Sequence, residues 1–304
     1  MQKIRFARGL SDYQIKMAFI MPTMILLILM NIFPLLWSLY LSFHRYKASL
    51  PNRLPKFIGV RNYAQLLSDP EIWEYFRTTA YFVVLAVAAQ FIIGFGLALL
   101  LNRQFRYKGL VTTLILLPMM LSPVVVGLFW RFILASDASG LVNYFLSPLL
   151  NALNRDSIPW TTSPNMAMIA VVIVDTWMWS PFMMLISLAG LSAVPKYLYE
   201  AADVDRASGW FKFRQITLPL VSPLLLIALL FRTMDAFKMF DIVYVLTHEG
   251  GPGTATETVS MNLYRLAFRS YNTGKACAMA YILLVVIVAL SNIYVKYLNR
   301  LREA

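Results

Sequence analysis

The chain has 304 residues, of which 59% are hydrophobic and only 14% are charged, whereas soluble domains carry about 25% charged residues. This deficit of charge excludes an ordinary soluble protein and indicates a protein that lies in a membrane. The net charge of +12 does not indicate nucleic-acid binding, because Lys and Arg in membrane proteins more often mark the orientation of the loops. Cys277 is the only cysteine, so no disulfide can form within the chain.

Charge is sparse in six windows of about 20 residues or more, the length that a helix needs to cross about 30 Å of hydrocarbon. We therefore predict an all-α, polytopic membrane protein with six transmembrane helices. A tail, 1–16, precedes a transmembrane domain, 17–304, with predicted spans at 17–43, 78–101, 110–134, 166–190, 217–240 and 276–296. The first apolar stretch is longer than the signal-peptide core of about 7–15 residues, so we interpret it as a retained span.

Six spans place both termini and the loops 102–109 and 191–216 on one side of the membrane. Lys and Arg are denser on that side than in the longer polar segments, which are 44–77, 135–165 and 241–274. The positive-inside rule therefore predicts cytoplasmic termini and a cytoplasmic loop at 191–216.

Glycines and prolines within the spans predict how closely the helices pack and whether they are continuous. Gly94 and Gly96 in the second span predict close packing against another helix. The third span contains Pro118 and Pro123, which transmembrane helices tolerate when neighbouring groups satisfy the freed carbonyls. We therefore interpret 110–134 as one span.

The chain lacks the signature of a nucleotide-binding P-loop. A P-loop needs Gly-x4-Gly-Lys followed by Ser or Thr, because its backbone amides and its Lys hold the phosphates. The only Gly–Lys pair, Gly274–Lys275, is followed by Ala276, and Arg269 occupies the place of the first glycine. We therefore expect no ATP hydrolysis on this chain by that route.

Other catalytic chemistry has little support in the sequence. His44 and His248 are far apart, and neither has His or Cys at the spacing of metal ligands, so we predict no metal site. No Gly-x-Ser-x-Gly motif is present, so nucleophilic catalysis has no candidate residue and we predict that the chain is not an enzyme. Intramembrane catalysis through Asp175 or Asp235 remains formally open.

The loop 191–216, which we call the Glu200 loop, is polar and helix-forming. Pro195 suits the first turn of a helix, and Leu198, Ala201 and Ala202 form a small apolar stripe. Glu200, Asp203 and Asp205 suit the positive end of the helix dipole, Gly209 is expected to end the helix, and the aromatic residues Trp210, Phe211 and Phe213 are expected to be buried. Two interpretations remain open on these residues alone: a docking surface for a partner, or an amphipathic helix at the membrane surface.

The same residues resemble the "EAA" loop of bacterial ABC importer permeases. Glu200-Ala201-Ala202 is followed at the family spacing by Ile216-x-Leu218-Pro219. The flanking motifs resemble the carbohydrate-uptake permeases of the maltose and glycerol-phosphate type: Trp177-x-Trp179-Ser180-Pro181, Leu188-Ala-Gly-Leu191, Leu246-Thr247-x-x-Gly250-Gly251-Pro252 and Tyr264-x-x-Ala267-Phe268. The resemblance covers about residues 10–300. One position departs from it, because Arg206 stands where the family usually has Gly, while Gly209 lies three residues further on.

The resemblance implies a multi-pass subunit of the bacterial inner membrane that works with partners. These are a second related permease chain, two ATP-binding subunits that carry ATP and Mg, and a periplasmic or extracellular solute-binding protein; lipid surrounds the spans and no nucleic acid is involved. The Glu200 loop would dock into a cleft of an ATP-binding subunit, with Glu200 as the polar contact and Ala201 and Ala202 permitting close approach. Asp205, Arg206 and Gly209 would complete this ATPase-coupling surface.

Charged residues inside spans are costly, by about 2.5–3.5 kcal/mol each, and mark candidate functional sites. Asp175, Arg232 and Asp235 are such residues. In the resembled family, span 5 presents polar residues to the sugar at places that fall on Arg232, Ala236 and Met239, and the span 4 counterparts fall near Trp179, Ser180 and Met184, with Trp177 close by. Alternatively, Arg232 and Asp235 form a structural ion pair, and Trp177 and Trp179 are interfacial or packing residues.

These patterns predict a permease subunit of an ATP-driven importer for a sugar, polyol or related small polar solute. Three alternatives remain: an importer of amino acids or of glycerol phosphate with the same architecture, an ATP-independent carrier or channel, and a structural membrane scaffold. A carrier would leave the Glu200 loop without a function, and a scaffold would leave the charges of span 5 unexplained.

Overall fold

The computed structural model describes residues 11–50, 54–137 and 139–303, and most of these residues lie in helices. The helices are α1 (Asp12–Leu27), α2 (Phe33–Ser42), α3 (Arg61–Leu67), α4 (Pro70–Leu101), α5 (Lys108–Met120), α6 (Pro123–Ile133), α7 (Leu141–Ala152), α8 (Pro164–Ala193), α9 (Lys196–Val204), α10 (Gly209–Lys212), α11 (Leu218–Ala236), α12 (Asp241–Leu246), α13 (Val259–Tyr264) and α14 (Thr273–Glu303). Three π-helical turns interrupt them: π1 (Ile28–Ile32), π2 (Phe213–Thr217) and π3 (Arg265–Arg269). A two-residue antiparallel pair, β1 (His44–Arg45) and β2 (Lys56–Phe57), is the sheet of the described part. The tail predicted for 1–16 lies largely outside the described residues.

Among the described residues, five helical stretches are long and apolar enough to cross a membrane, namely Tyr13–Ser42, Pro70–Leu101, Pro164–Ala193, Gly209–Ala236 and Thr273–Arg300. The pair α5 and α6 makes a sixth candidate if the two helices are one span. The prediction of an all-α, polytopic membrane protein is therefore confirmed. The helices α4, α8 and α14 extend past the predicted spans, because apolar composition marks the membrane core and helical structure continues beyond it. For example, α4 begins at Pro70 and not near 78, whereas α11 ends at Ala236 and not near 240.

The third predicted span is not a straight helix. The axes of α5 and α6 differ by 99° across the break at Leu121 and Ser122, both of which have extended backbone. Proline disfavours helical conformation in the residue before it, so Pro123 holds Ser122 out of the helix. Pro123 therefore breaks this segment, whereas Pro118 lies inside α5.

The larger compact unit, Leu67–Arg265 with Ile282–Ala304, is centred on α4 and α8. At their crossing, a Cβ placed on Gly94 would lie 2.7 Å from the Ser180 carbonyl oxygen and 2.9 Å from the Met184 nitrogen. Only glycine permits this approach of two backbones. The prediction of close packing is confirmed for Gly94 and wrong for Gly96, because no atom lies within 4 Å of a Cβ placed there.

A hydrophobic cluster joins α4, α8 and α11 at the end of the bundle next to the Glu200 loop. Its buried residues are Ala98, Leu101, Met184, Leu191, Val194, Val221 and Leu225. Tyr199 of α9 and Ile216 of π2 pack against the same cluster. The Glu200 loop is thus seated on the end of the bundle by apolar contacts.

The segment between α11 and π3 folds as a lobe at the other end of α4. The Val259 amide donates a hydrogen bond of 2.9 Å to the Thr79 hydroxyl of α4, and the Thr247 and Thr256 hydroxyls lie 2.8 Å apart. The fully buried Glu257 carboxylate accepts a 2.7 Å hydrogen bond from Arg265. Burial raises the pKa of Glu257 above its ordinary value, and the Arg265 guanidinium opposes this rise.

The smaller compact unit, Met1–Leu66 with Leu266–Tyr281, contains α1, π1, α2 and the two short strands. The Asn62 side-chain amide donates to the Ser42 and His44 carbonyls at 2.8 and 3.0 Å, and these bonds fix the turn after α2. The most apolar window of Tyr13–Ser42 has no buried residue. This first span therefore presents apolar side chains on all sides.

Candidate functional site

The Glu200 loop contains two short helices, α9 and α10, of which α9 begins after Pro195 and ends at Val204. Asp205 caps its C-terminus, and Arg206 follows with φ of 56°, in the left-handed region that usually requires glycine. The prediction that Gly209 ends this helix is therefore wrong. Gly209 instead opens α10, whose first turn is capped by the Ser208 hydroxyl, an acceptor for the Phe211 amide.

The acidic face of α9 is open to the surroundings. Glu200, Ala201 and Asp205 are exposed, and Asp203 forms an ion pair with Lys212 that closes the loop on itself. Ala202 is buried against its own chain. A partner could therefore approach α9 closely at Glu200 and Ala201, whereas Ala202 packs the helix against the rest of the chain.

The aromatic residues after α9 are only partly covered. Phe213 stacks with Trp210 at 5.6 Å between ring centroids and lies 6.2 Å from the Phe95 ring. Trp210 and Phe211 are exposed to 68% and 52%, so their expected burial is not provided by the described part of this chain. Their rings form an apolar surface beside the exposed acidic face of α9.

The connection from the loop to α11 is a π-helical turn, π2, over Phe213–Thr217. The Tyr199 and Thr217 hydroxyls lie 2.8 Å apart, and Thr217 is buried. Because π-turns inside helices are uncommon and occur often at functional sites, this joint is a notable feature of the loop. It ties α9 directly to the first turn of the fifth span.

The second candidate region is a cleft between α8 and α11, which we call the bundle cleft. It has a volume of about 470 Å³ and is lined by Trp179, Phe182, Ile186, Phe231, Arg232, Met234, Asp235 and Lys238. A smaller cleft of about 120 Å³ shares Trp179, Arg232, Asp235 and Lys238 and adds Met239 and Asp241 among its lining residues. Aromatic and charged side chains thus line the same opening.

Every guanidinium nitrogen of Arg232 has a protein acceptor. Nε donates to Gln90 Oε1 at 2.6 Å, Nη1 donates to Asp235 Oδ2 at 2.9 Å, and Nη2 forms an ion pair with Asp175 Oδ2. Gln90 Nε2 donates in turn to Asp175 Oδ2 at 2.7 Å. The guanidinium carbon lies 5.2 Å from the centre of the Trp179 ring, in a cation–π contact. The alternative of an ion pair between Arg232 and Asp235 is therefore present, within a larger network.

The network differs in exposure from one member to the next. Asp175 and Arg232 are 1% and 2% exposed, whereas the Asp235 side chain is 53% exposed. A buried charge is stable only when it is paired and hydrogen-bonded, and α4, α8 and α11 each supply a partner here. The network therefore fastens three spans together and presents Asp235 to the cleft.

Other residues predicted for the substrate path lie elsewhere. Ser180, Met184 and Ala236 are buried: Ser180 donates to the Thr176 carbonyl and Met184 belongs to the hydrophobic cluster. Trp177 packs against Trp130 and lines a separate apolar pocket. Because α11 ends at Ala236, Met239 lies beyond the helix, where it lines the smaller cleft.

Sequence reasoning missed three polar residues of this region. Gln90 holds both Arg232 and Asp175 from α4, and its signal was present, because it is the lone amide in the otherwise apolar part of the second span. Lys238 and Asp241 follow the end of α11 and carried no signal, since they lie in a segment without periodicity.

A bundle of long apolar helices around a partly charged cleft, with a polar loop seated at one end, defines a polytopic membrane transport protein. The chain belongs to the family of binding-protein-dependent transport system inner membrane components, whose family model matches residues 90–303. It is thus an ABC transporter permease, and the resemblance stated from the motifs is confirmed.

Two curated relatives match almost the whole chain. It is 36% identical over 280 residues to the trehalose/maltose transport system permease protein MalF of Thermococcus litoralis, covering 91% of each chain. It is 35% identical over 291 residues to the sulfoquinovosyl glycerol transport system permease protein SmoG of Agrobacterium fabrum, covering 95% of this chain and 92% of that one.

A solved structure agrees with the fold. A chain of a bacterial ABC transporter involved in the import of the acidic polysaccharide alginate superposes with a TM-score of 0.79 at 22% identity, covering 94% of this chain and 95% of that chain. At this identity the likeness concerns the fold alone.

Proposed function

We propose that this chain is the permease subunit of an ATP-driven, binding-protein-dependent importer for a sugar, polyol or related small polar solute. The observation that carries the proposal is the bundle cleft, in which the Trp179 ring and the Asp235 carboxylate share one opening between α8 and α11. Aromatic faces suit the apolar side of a sugar ring, and carboxylates accept hydrogen bonds from hydroxyls. The relatives named for trehalose/maltose and sulfoquinovosyl glycerol transport support a carbohydrate-like solute.

In this proposal the chain moves the solute and a partner hydrolyses ATP with Mg. Glu200 is the polar contact to an ATP-binding subunit, because it is exposed on the free face of α9 beside the small residue Ala201. Tyr199 and Thr217 pass movement of α9 to α11 through their hydrogen bond, and α11 carries Arg232 and Asp235 of the cleft. The Glu200 loop is thereby joined to the solute path by one continuous piece of chain.

In the assembly that follows from this proposal, both termini and the Glu200 loop lie in the cytoplasm. A second related permease lies beside this chain, two ATP-binding subunits lie on the cytoplasmic side and a solute-binding protein lies on the opposite side of the membrane. Two observations support partners. The first span presents apolar side chains on all sides, and Trp210 and Phe211 are exposed beside Glu200. Lipid or a partner subunit has to cover such surfaces.

The test is reconstitution of the copurified complex in vesicles, with uptake and ATPase activity measured with and without the solute-binding protein. Glu200→Lys is expected to abolish uptake and the stimulation of ATPase activity by binding protein while the chain still inserts. Asp156→Lys makes the same change of charge at an exposed position outside the loop and is expected to behave as wild type.

Two results would contradict the proposal. Normal stimulation in the Glu200→Lys complex would remove this residue from coupling. Uptake that persists without ATP would favour an ATP-independent carrier, and the Glu200 loop would then be an amphipathic helix at the membrane surface.

A further inference from the structure

The bundle cleft contains an arginine that is not free to bind a ligand. A guanidinium in a cleft wall ordinarily attracts carboxylate, phosphate or sulfonate groups, because it offers several charge-assisted donors. Here Arg232 is 2% exposed, and each of its nitrogens already donates to a protein oxygen of Gln90, Asp175 or Asp235. The cation is thus buried and neutralised from within the bundle.

The charges around Arg232 also disfavour an anion. Asp235 is the exposed member of the network, so a solute entering the bundle cleft meets its carboxylate before the guanidinium. The smaller adjoining cleft is lined by two cations, Arg232 and Lys238, and by three carboxylates, those of Asp175, Asp235 and Asp241. Carboxylates outnumber cations in this lining by three to two, so an anionic solute would meet net like charge there, and Lys238 is the cation that the network leaves out.

The remaining lining suits a neutral, hydroxyl-rich solute. Trp179 presents its ring beside the guanidinium, and Phe182, Ile186 and Phe231 add apolar surface. The 53% exposure of Asp235 leaves its carboxylate accessible to hydroxyl donors.

We propose that Gln90 and Asp175 are specificity-determining residues, which hold Arg232 neutralised so that the cleft accepts neutral polyhydroxylated solutes and rejects anionic ones. The inference rests on the proposed transport of a carbohydrate-like solute. Gln90 is buried behind the cleft wall, whereas Asp175 lines the smaller cleft but is only 1% exposed, so both act on the solute through Arg232. Asp175 supplies the charge, and Gln90 orients both Asp175 and Arg232 by donating to one and accepting from the other.

The test compares two probes of similar size on the copurified complex without its binding protein: trehalose, which is neutral, and a disaccharide that contains glucuronate. Binding is measured by titration calorimetry for wild type, Asp175→Asn and Asp235→Asn. Arg232, Asp175 and Asp235 together carry a net charge of −1, and removal of either carboxylate brings it to zero and leaves the guanidinium with one carboxylate partner. The affinity ratio of glucuronate disaccharide to trehalose is therefore expected to rise by about tenfold or more. Asp156→Asn, which makes the same substitution at an exposed position away from the cleft, is expected to leave the ratio unchanged.

A double variant separates released charge from structural damage. In Asp175→Asn with Arg232→Gln, the gain for the glucuronate disaccharide is expected to disappear, because the cation is gone and the exposed Asp235 carboxylate again gives the network a net charge of −1. If Asp175→Asn does not assemble, Asp235→Asn carries the test, since its side chain is largely exposed.

The outcomes distinguish failure of the proposed function from failure of the specificity role of Gln90 and Asp175. A wild-type complex that binds neither probe contradicts the proposed function and this inference with it. Wild-type binding of trehalose with an unchanged ratio in both single variants overturns the specificity role alone, as does a gain that survives removal of Arg232.

Discussion

Replacement of Gly94 by alanine tests the packing of α4 on α8. The added Cβ would lie 2.7 Å from the Ser180 carbonyl oxygen and 2.9 Å from the Met184 nitrogen. Ordinary contact begins at 3.4 Å, so the shorter distance falls short by 3.4 − 2.7 = 0.7 Å. Both neighbours are backbone atoms of α8 and cannot move aside by a change of rotamer. The two helices therefore have to separate.

Overpacking of this kind costs about 1–3 kcal/mol. The same helix offers a matched control two residues further on, because a Cβ placed on Gly96 meets no atom within 4 Å. Both substitutions gain the same helix propensity, about 0.5–1 kcal/mol. The difference in the free energy of unfolding between Gly94→Ala and Gly96→Ala therefore isolates the cost of separating the helices.

The assay is the midpoint of thermal unfolding of the purified complex in detergent, followed by size exclusion and by tryptophan fluorescence. Gly96→Ala is expected to match or exceed wild type, and Gly94→Ala is expected to unfold at a lower temperature than Gly96→Ala. Equal midpoints for the two variants would refute the close approach of α4 and α8 at Gly94.

Two further predictions concern backbone conformation and pH. Because Arg206 has φ of 56° and a left-handed conformation costs a residue with a side chain about 1–2 kcal/mol, Arg206→Gly is expected to slow hydrogen exchange around the end of α9 relative to Arg206→Ala, which retains the strain. Equal exchange in the two variants would contradict this. Because burial raises the pKa of Glu257, the folded lobe binds a proton more tightly than the unfolded chain, and its stability is expected to be greatest below the pKa of the unfolded chain and to decrease as the pH rises from there through the raised pKa. Hydrogen exchange of Val259–Tyr264 measures this trend, which should disappear in Glu257→Gln; a trend that persists in the variant would assign it to another group.

The sequence predicts the bundle because the signal for a membrane span is local. A stretch of apolar residues is sufficient to identify α4, α8 or α14, and the motif around Glu200 is sufficient to place a loop helix. The break between α5 and α6 could have been predicted, since Pro123 disfavours a helical Ser122. The sequence does not show, however, whether contacts with neighbouring helices allow the helix to continue through such a proline.

The buried network was not predictable because it is formed by residues far apart in the chain. Asp175 lies 57 residues from Arg232, and Gln90 lies 142 residues from it. The sequence identifies Arg232 and Asp175 as costly charges inside spans. It does not show which residues pair with them, because the same charged residues would be present whether the pairs form within one helix or between helices. The end of α9 was missed for a different reason: Arg206 takes a conformation for which glycine is the usual signal.

The π-turn Phe213–Thr217 lies between the Glu200 surface and α11. A π-turn holds about one residue more than an α-helical turn, so a single deletion within it would restore a regular helix and leave the segments before and after it in nearly their present angular relation. A deletion in the regular part of α11 would instead turn everything before it by about 100° around the helix axis. The π-turn is therefore the place in the fifth span where the chain tolerates the loss of one residue without turning an intact docking surface in the wrong direction.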